Sequence, residues 1–153
     1  MPPLFIKEYK MIIYRELKKE DGIQINELFK QLTDDPIFFD IDLVINETSI
    51  FTIVIEDIGQ IIGFGCLIKY LVPTKGQIAR LEDIVIDSSY RGKGIGSTLL
   101  DKLIEIAKKN GFQMLELTSR PQKTAARSLY LSKGFELRDT GVFRMNLKNI
   151  ISY

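Results

Sequence analysis

The chain has 153 residues, 45% hydrophobic and 27% charged, with a formal net charge of +1, which fits one globular domain and excludes a disordered chain. It contains no His and a single Cys, Cys66, so nucleophilic triads that need imidazole, internal disulfides and Cys- or His-based metal clusters are excluded. No apolar run approaches the roughly 18 residues that span a bilayer, and the first residues lack a signal peptide's apolar core, so a soluble cytoplasmic protein is expected.

Met1 to Lys10 reads as an N-terminal extension, and Ile12 to Leu17 as a short strand. Asp21 can cap a helix running to about Leu32, with Ile25, Leu28, Phe29 and Leu32 on one face. Pro36 suits the first turn of a second helical segment through about Glu47. Ile50 to Glu56 and Ile61 to Tyr70 make a hairpin about the turn Asp57-Ile58-Gly59-Gln60, and a third strand runs from Gln77 to Asp87. After the loop of Gly92, Gly94 and Gly96, the spacing of Leu99, Leu100, Leu103, Ile104 and Ala107 predicts an amphipathic helix to about Asn110. Met114 to Thr118 follows as a strand, then a helix from about Lys123 to Ser132 with Gly134 as its left-handed cap. Phe135 to Leu137 and Val142 to Leu147 close the chain as strands. With no repeat or linker, the expected fold is a single mixed α+β domain over residues 1–153 with one parallel crossover between Gln77 and Thr118.

The near-neutral total hides a division. Residues 1–90 carry 9 Lys or Arg against 15 Asp or Glu, whereas residues 91–148 carry 12 against 5. Residues 31–68 hold seven acids and no Lys or Arg. Two solvated faces of opposite sign account for this, and so do an anionic ligand on the C-terminal half and a cationic one steered by the N-terminal half. The basic excess is too small for non-specific nucleic-acid binding, and no such partner is expected. Cys66, inside the apolar run Ile61 to Ile68, reads as a buried small hydrophobe.

The run Tyr90-Arg91-Gly92-Lys93-Gly94-Ile95-Gly96-Ser97-Thr98 lies between a strand and a helix. Glycines there let backbone N–H groups converge on an anion at the positive end of the helix dipole, and Arg91 and Lys93 add charge suited to phosphate. A structural turn would explain two glycines, but three alternating ones flanked by Arg and Lys point beyond a turn to an anion site. The nucleotide P-loop needs its Lys after the last Gly, but Lys93 lies inside the loop. The dinucleotide fingerprint fails too: the residue after Gly96 is Ser97 and the chain has no second half of that fold, although Glu116 imitates its ribose-binding acid.

Arg91-x-x-Gly94-x-Gly96, after the strand Leu81-Glu82-Asp83-Ile84-Val85-Ile86-Asp87, resembles the acetyl-CoA pyrophosphate loop of the GNAT superfamily of N-acetyltransferases. Ala126-x-x-Leu129-Tyr130-x-x-x-Gly134-Phe135 resembles that family's second motif, and the likeness extends from Met11 to Leu147. It implies a central mixed, mostly antiparallel twisted sheet of about six or seven strands with about four helices, and a splayed strand pair holding the cofactor. It implies acetyl-CoA as cosubstrate, with no metal. Pantetheine would lie on the backbone of Ile84, Val85 and Ile86, and the phosphates on Arg91, Gly92, Lys93, Gly94, Ile95, Gly96 and Ser97. Arg127 and Lys133 would reach the adenine-side phosphate. Tyr130 matches the family's general acid, and Glu82 is the candidate base, with Asp83 expected on the opposite face of the strand. The family often has Asn three residues before the Ala of the second motif; here that position is Lys123, which is not carried over as catalytic.

The implied activity is acetyl transfer to a primary amine in a ternary complex. The acidic stretch suggests a cationic acceptor: a polyamine, an aminoglycoside-like amine or a peptide amine. Glucosamine-phosphate N-acetyltransferase is the alternative, and an acyl-CoA-binding regulatory module the non-enzyme one. The apolar faces of the C-terminal strands allow a homodimer; no membrane partner is expected.

Overall fold

A computed structural model describes residues 11–149; the expected extension, Met1 to Lys10, lies outside them. The chain divides between Thr118 and Ser119 into two units. The first holds β1 (Ile12–Arg15), α1 (Gly22–Phe29), α2 (Ile41–Asn46), β2 (Ile50–Asp57), β3 (Gln60–Val72), β4 (Gly76–Ile86), α3 (Ile95–Lys109) and β5 (Leu115–Glu116). The second holds α4 (Thr124–Ser132). Among the described residues no helix is long and apolar enough to cross a membrane.

The five strands form one sheet in the order β1-β2-β3-β4-β5, antiparallel except for the parallel pair β4–β5. The mixed α+β architecture with its single parallel crossover is as expected, with four helices. Among the described residues the strand count is five, below the expected six or seven, because neither Phe135 to Leu137 nor Val142 to Leu147 forms a strand. The Phe135 N–H is used to close α4, donating to Tyr130 O at 3.1 Å. Residues 142–147 alternate as a strand would, yet Val142, Phe143, Met145 and Leu147 are all exposed. Alternation makes a segment eligible for a sheet, but only a paired neighbour makes it a strand.

Local chemistry moves other boundaries. The second helix starts at Ile41, not at Pro36, because the Asp40 carboxylate accepts from Asp42 N–H (3.0 Å) and Leu43 N–H (3.2 Å) and fixes the N-terminus there. The first strand stops at Arg15, whose guanidinium turns to the buried Asp21: Nη1 to Oδ2 is 2.8 Å and Nη2 to Oδ1 is 2.9 Å. Lys18 N–H also donates to Asp21, at 2.8 Å. Burial would push this carboxyl up, but the Arg15 and Lys18 hydrogen bonds prevail and hold it below the usual range.

Apolar side chains cover both sheet faces. On one, Phe64, Cys66 and Val85 pack with Ile25, Leu28 and Phe29 of α1, and the Phe29 ring meets Phe39 and Phe64 edge-on at 5.2 Å each. On the other, α3 buries Leu99, Leu100, Leu103 and Ala107. Gly65 lets this helix approach: a Cβ there would lie 3.2 Å from Leu99 Cδ2 and from Leu103 Cδ1.

Candidate active site

β3 and β4 fall out of step at one point. Phe64 faces Val85 and Cys66 faces Glu82, so Gly65 stands opposite both Asp83 and Ile84. This is a bulge on β4, with Asp83 in the left-handed region at φ 52°. Both carboxylates bear on the buried Cys66 thiol, which burial above all, then Asp83 and Glu82, pushes up to about 12. At neutral pH Cys66 is therefore an inert thiol packed in the core, as the apolar run around it suggested.

On its other edge, β4 pairs with β5 only at Ala79–Leu115 and Arg80–Glu116, and then continues alone to Ile86. Ala79 N–H donates to Met114 O (3.0 Å), toward β5, whereas Asp87 N–H donates to Ile62 O (2.8 Å), toward β3. By alternation of peptide groups past the bulge, Val85 turns to β3 and Ile86 to the unpaired side. The Ile86 carbonyl takes Arg91 Nε–H at 3.0 Å, and its N–H remains on the open edge. Glu82 is half-exposed, with Oε1 at 3.0 Å from Arg80 Nε.

The glycine loop follows directly. Asp87 accepts from Ser89 N–H at 2.9 Å and starts a single turn, Ser88–Tyr90. Gly92 (φ 75°) and Gly94 (φ 79°) are left-handed, and a Cβ at either would meet nothing within 4 Å. Here glycine serves a backbone that other residues resist, facing open space rather than a packed neighbour. Gly94 caps α3, whose first internal bond runs from Thr98 N–H to Gly94 O at 3.1 Å. The amides of Ile95, Gly96 and Ser97 precede it and so have no acceptor within the helix. Lys93 Nζ sits 5.1 Å from the centroid of the Tyr90 ring. Amides without helical acceptors, room where side chains would stand, and two cations beside them fit a diphosphate.

Among the described residues, no group of three or more Cys, Asp or Glu side chains is arranged to hold a metal ion. The first unit thus gathers Glu82, Ile84, Val85, Ile86 and Arg91 to Ser97 into one continuous stretch. Tyr130, Arg127 and Lys133 belong to the second unit. Arg127 and Tyr130 lie half-buried on α4, and Lys133 caps its C-terminus. Burial pushes the Tyr130 phenol up, and its ring meets Phe135 edge-on at 6.0 Å. Lys123 takes the N-cap position of α4 and supplies no side-chain cap, a task that an Asn there could perform. Sequence reasoning missed the Arg80–Glu82 pair, a tie from Tyr90 to Asp57, and the left-handed Asp83. The one signal for the last was an Asp, which tolerates that conformation better than most residues, in mid-strand.

Residues 12–135 match the Acetyltransferase (GNAT) family. An uncharacterized N-acetyltransferase of Methanocaldococcus jannaschii, MJ1207, is 37% identical over 42% of this chain and 29% of its own length. The chain thus spans under a third of that relative. The glucosamine 6-phosphate N-acetyltransferase of Trypanosoma brucei brucei is 31% identical over 69% of this chain and 78% of its own. An uncharacterized N-acetyltransferase of Bacillus subtilis, YhfO, is 31% identical over 83% and 91%. Among solved structures, a Trypanosoma brucei acetyltransferase superposes with a TM-score of 0.76 at 27% identity, covering 89% of this chain and 99% of that one. An aminoglycoside N-acetyltransferase, AAC(6')-Iy, solved with CoA, has a TM-score of 0.78 at 19% identity, covering 93% and 99%, a likeness of fold. With its bulged strand leading into a left-handed glycine loop, and with this family match over most of its length, the chain belongs to the GNAT acetyltransferase family.

Proposed function

We propose that residues 1–153 act as one domain in the cytoplasm and move an acetyl group from acetyl-CoA to a primary amine. The observation that carries the reading is the run from β4 into α3: an unpaired strand edge from Leu81 to Ile86, then a left-handed Gly92 and Gly94 at a helix N-terminus. Ile84 and Ile86 would hold pantetheine along that edge, with Val85 between them. Arg91 to Ser97 would hold the diphosphate, with Arg127 and Lys133 nearer the adenine. Acetyl-CoA supplies the activated acyl group, and the chain's own residues bind and orient it and move protons. An N–H on the β4 edge would stabilise the developing oxyanion. Tyr130, whose phenol burial keeps protonated, donates a proton to the leaving sulfur. The carboxylate pair of Glu82, the expected base, and Asp83 receives the amine's proton.

The acceptor is read as cationic. Supporting this, residues 31–68 carry seven acids and no Lys or Arg, and Asp34 and Asp35 line a surface hollow of about 460 Å3 with Asn26 and Lys30. Glucosamine 6-phosphate is the second reading, favoured by the trypanosomal relative named for that activity and by Arg80, a cation beside Glu82. A second copy of the chain would cover the exposed Leu137, Phe143 and Met145, and light scattering of the purified protein tests that pairing. Calorimetric titration with acetyl-CoA, followed by steady-state rates with spermidine, kanamycin, a lysine peptide and glucosamine 6-phosphate, tests the rest. No heat with acetyl-CoA overturns the reading. Heat without transfer to any amine leaves the acyl-CoA-binding module in its place. A rate with glucosamine 6-phosphate above all the others replaces the cationic acceptor.

A further inference from the structure

The bulge on β4 makes a division between two adjacent carboxylates. Asp83 is the surplus residue opposite Gly65, in the left-handed region at φ 52°. Among the described residues only one other non-Gly side chain, Ile58 in the β2–β3 turn, has a positive φ. Glycine would adopt the same conformation without strain. A side chain kept in mid-strand at that cost points to a use for the side chain itself.

The surroundings of the two carboxylates differ. Glu82 Oε1 is tied to Arg80 Nε at 3.0 Å. Among the described residues Asp83 has no hydrogen bond or salt bridge, although burial, and Glu82 beside it, push its carboxyl up. It also reaches solvent, so an incoming molecule can meet it. The groups that bear on it electrostatically are Glu82 on its own strand, itself tied to Arg80, and the Cys66 thiol on β3. A base needs a free lone pair, access to substrate and a proton affinity raised toward the working pH. Asp83 has all three, whereas Glu82 has one oxygen engaged by a guanidinium.

We propose that Asp83 is the general base of the transfer and that Glu82, held by Arg80, positions the acceptor amine. This rests on the acetyltransferase reading above. The amine nitrogen forms a bond to the thioester carbonyl carbon, and the carbon–sulfur bond breaks. The proton shed by nitrogen passes to the Asp83 carboxylate, and sulfur leaves with a proton from the Tyr130 phenol. Asp83 then releases its proton to water and Tyr130 regains one, so the products are the amide and free CoA thiol.

Three variants test the division: Asp83→Asn, Asp83→Gly and Glu82→Gln. Glycine suits a φ of 52°, so Asp83→Gly keeps the bulge and folds. Rates are measured with the best amine of the panel above, and acetyl-CoA binding by calorimetry. Both Asp83 variants should lose about 100- to 10,000-fold in turnover, lose the acidic limb of the kcat/KM profile, and bind acetyl-CoA like the parent. Added formate should restore part of the Asp83→Gly rate in proportion to its concentration. Glu82→Gln should raise KM and retain the acidic limb. An Asp83→Gly protein as active as the parent overturns the assignment, as does loss of the acidic limb in Glu82→Gln alone. A parent chain that binds acetyl-CoA but acetylates no amine overturns the transfer reading, and this assignment with it.

Discussion

Tyr90 Oη donates a 2.7 Å hydrogen bond to Asp57 Oδ2, joining the residue before the glycine loop to the last residue of β2. Asp57 is 6% exposed, and its Oδ1 has no partner among the described residues. The phenol is therefore the group that makes this buried carboxylate tolerable, and the carboxylate in turn keeps the phenol protonated by pushing it up. Tyr90→Phe should lower the melting temperature and weaken acetyl-CoA binding together, since one bond serves both the fold and the loop. Calorimetry that finds an unchanged melting temperature would separate the loop from the hairpin.

Tyr130→Phe should cost about 10- to 1,000-fold in turnover, within or just below the range of general-acid effects, with acetyl-CoA affinity unchanged. Because burial raises the phenol, the basic limb of the kcat profile should lie above the ordinary tyrosine range. An equally active Phe variant would remove Tyr130 from the reaction.

Gly94→Glu should abolish acetyl-CoA binding. At φ 79° any side chain is strained, and the Cβ enters the open space in front of the α3 amides. The added carboxylate repels a diphosphate there. Gly94→Ala separates the effects: its strain costs about 1–2 kcal/mol of stability without adding charge. Undiminished titration heat in the Glu variant would refute the loop assignment.

The Arg15–Asp21 pair makes stability depend on pH. The Asp21 carboxyl lies below its usual range when folded, so the unfolded chain binds its proton first. The contribution is present above the ordinary Asp range and lost as pH falls through the folded value. Asp21→Asn, which leaves the Arg15 guanidinium without its bidentate partner, should cost about 3 kcal/mol and flatten this acid dependence in urea titrations. An Asn variant with the parent's acid midpoint would assign the dependence to other carboxylates.

Ile58 is an exposed β-branched residue at φ 48°, beside Gly59 at 78°, in the two-residue turn between β2 and β3. That turn favours Asn-Gly. Ile58→Asn should therefore stabilise the protein by about 1 kcal/mol, read as a higher denaturation midpoint with activity unchanged.

Much of this was legible in the residues because the signals are local. The helical spacing of Leu99, Leu100 and Leu103, the glycines at 92 and 94, and the Ile58-Gly59 turn each announce themselves within a few positions. The bulge did not, because it is a relation between β3 and β4: Asp83 becomes surplus only when Gly65 is placed opposite it. The same holds for Glu82, whose partner Arg80 is two residues away and looks in sequence like any strand cation. Residues 142–147 err the other way, with a strand's pattern and no strand. Pattern reports what a segment can do, and pairing decides whether it does it.

Had β4 kept the register it holds up to Glu82, Ile84 would stand against Phe64, and Val85 against Gly63. Instead Ile86 stands against Gly63, where a Cβ would lie 2.7 Å from Ile55 Cδ1 and 3.0 Å from Ile86 Cδ1, so the glycine is what leaves room for both side chains. The extra residue shifts the strand by half a pleat, so past the bulge the peptide groups of Ile86, and not those of Val85, face the edge that β5 leaves unpaired. Receptivity here is thus a matter of phase: counted one step differently, the same open edge would offer the amide of Val85 in place of that of Ile86.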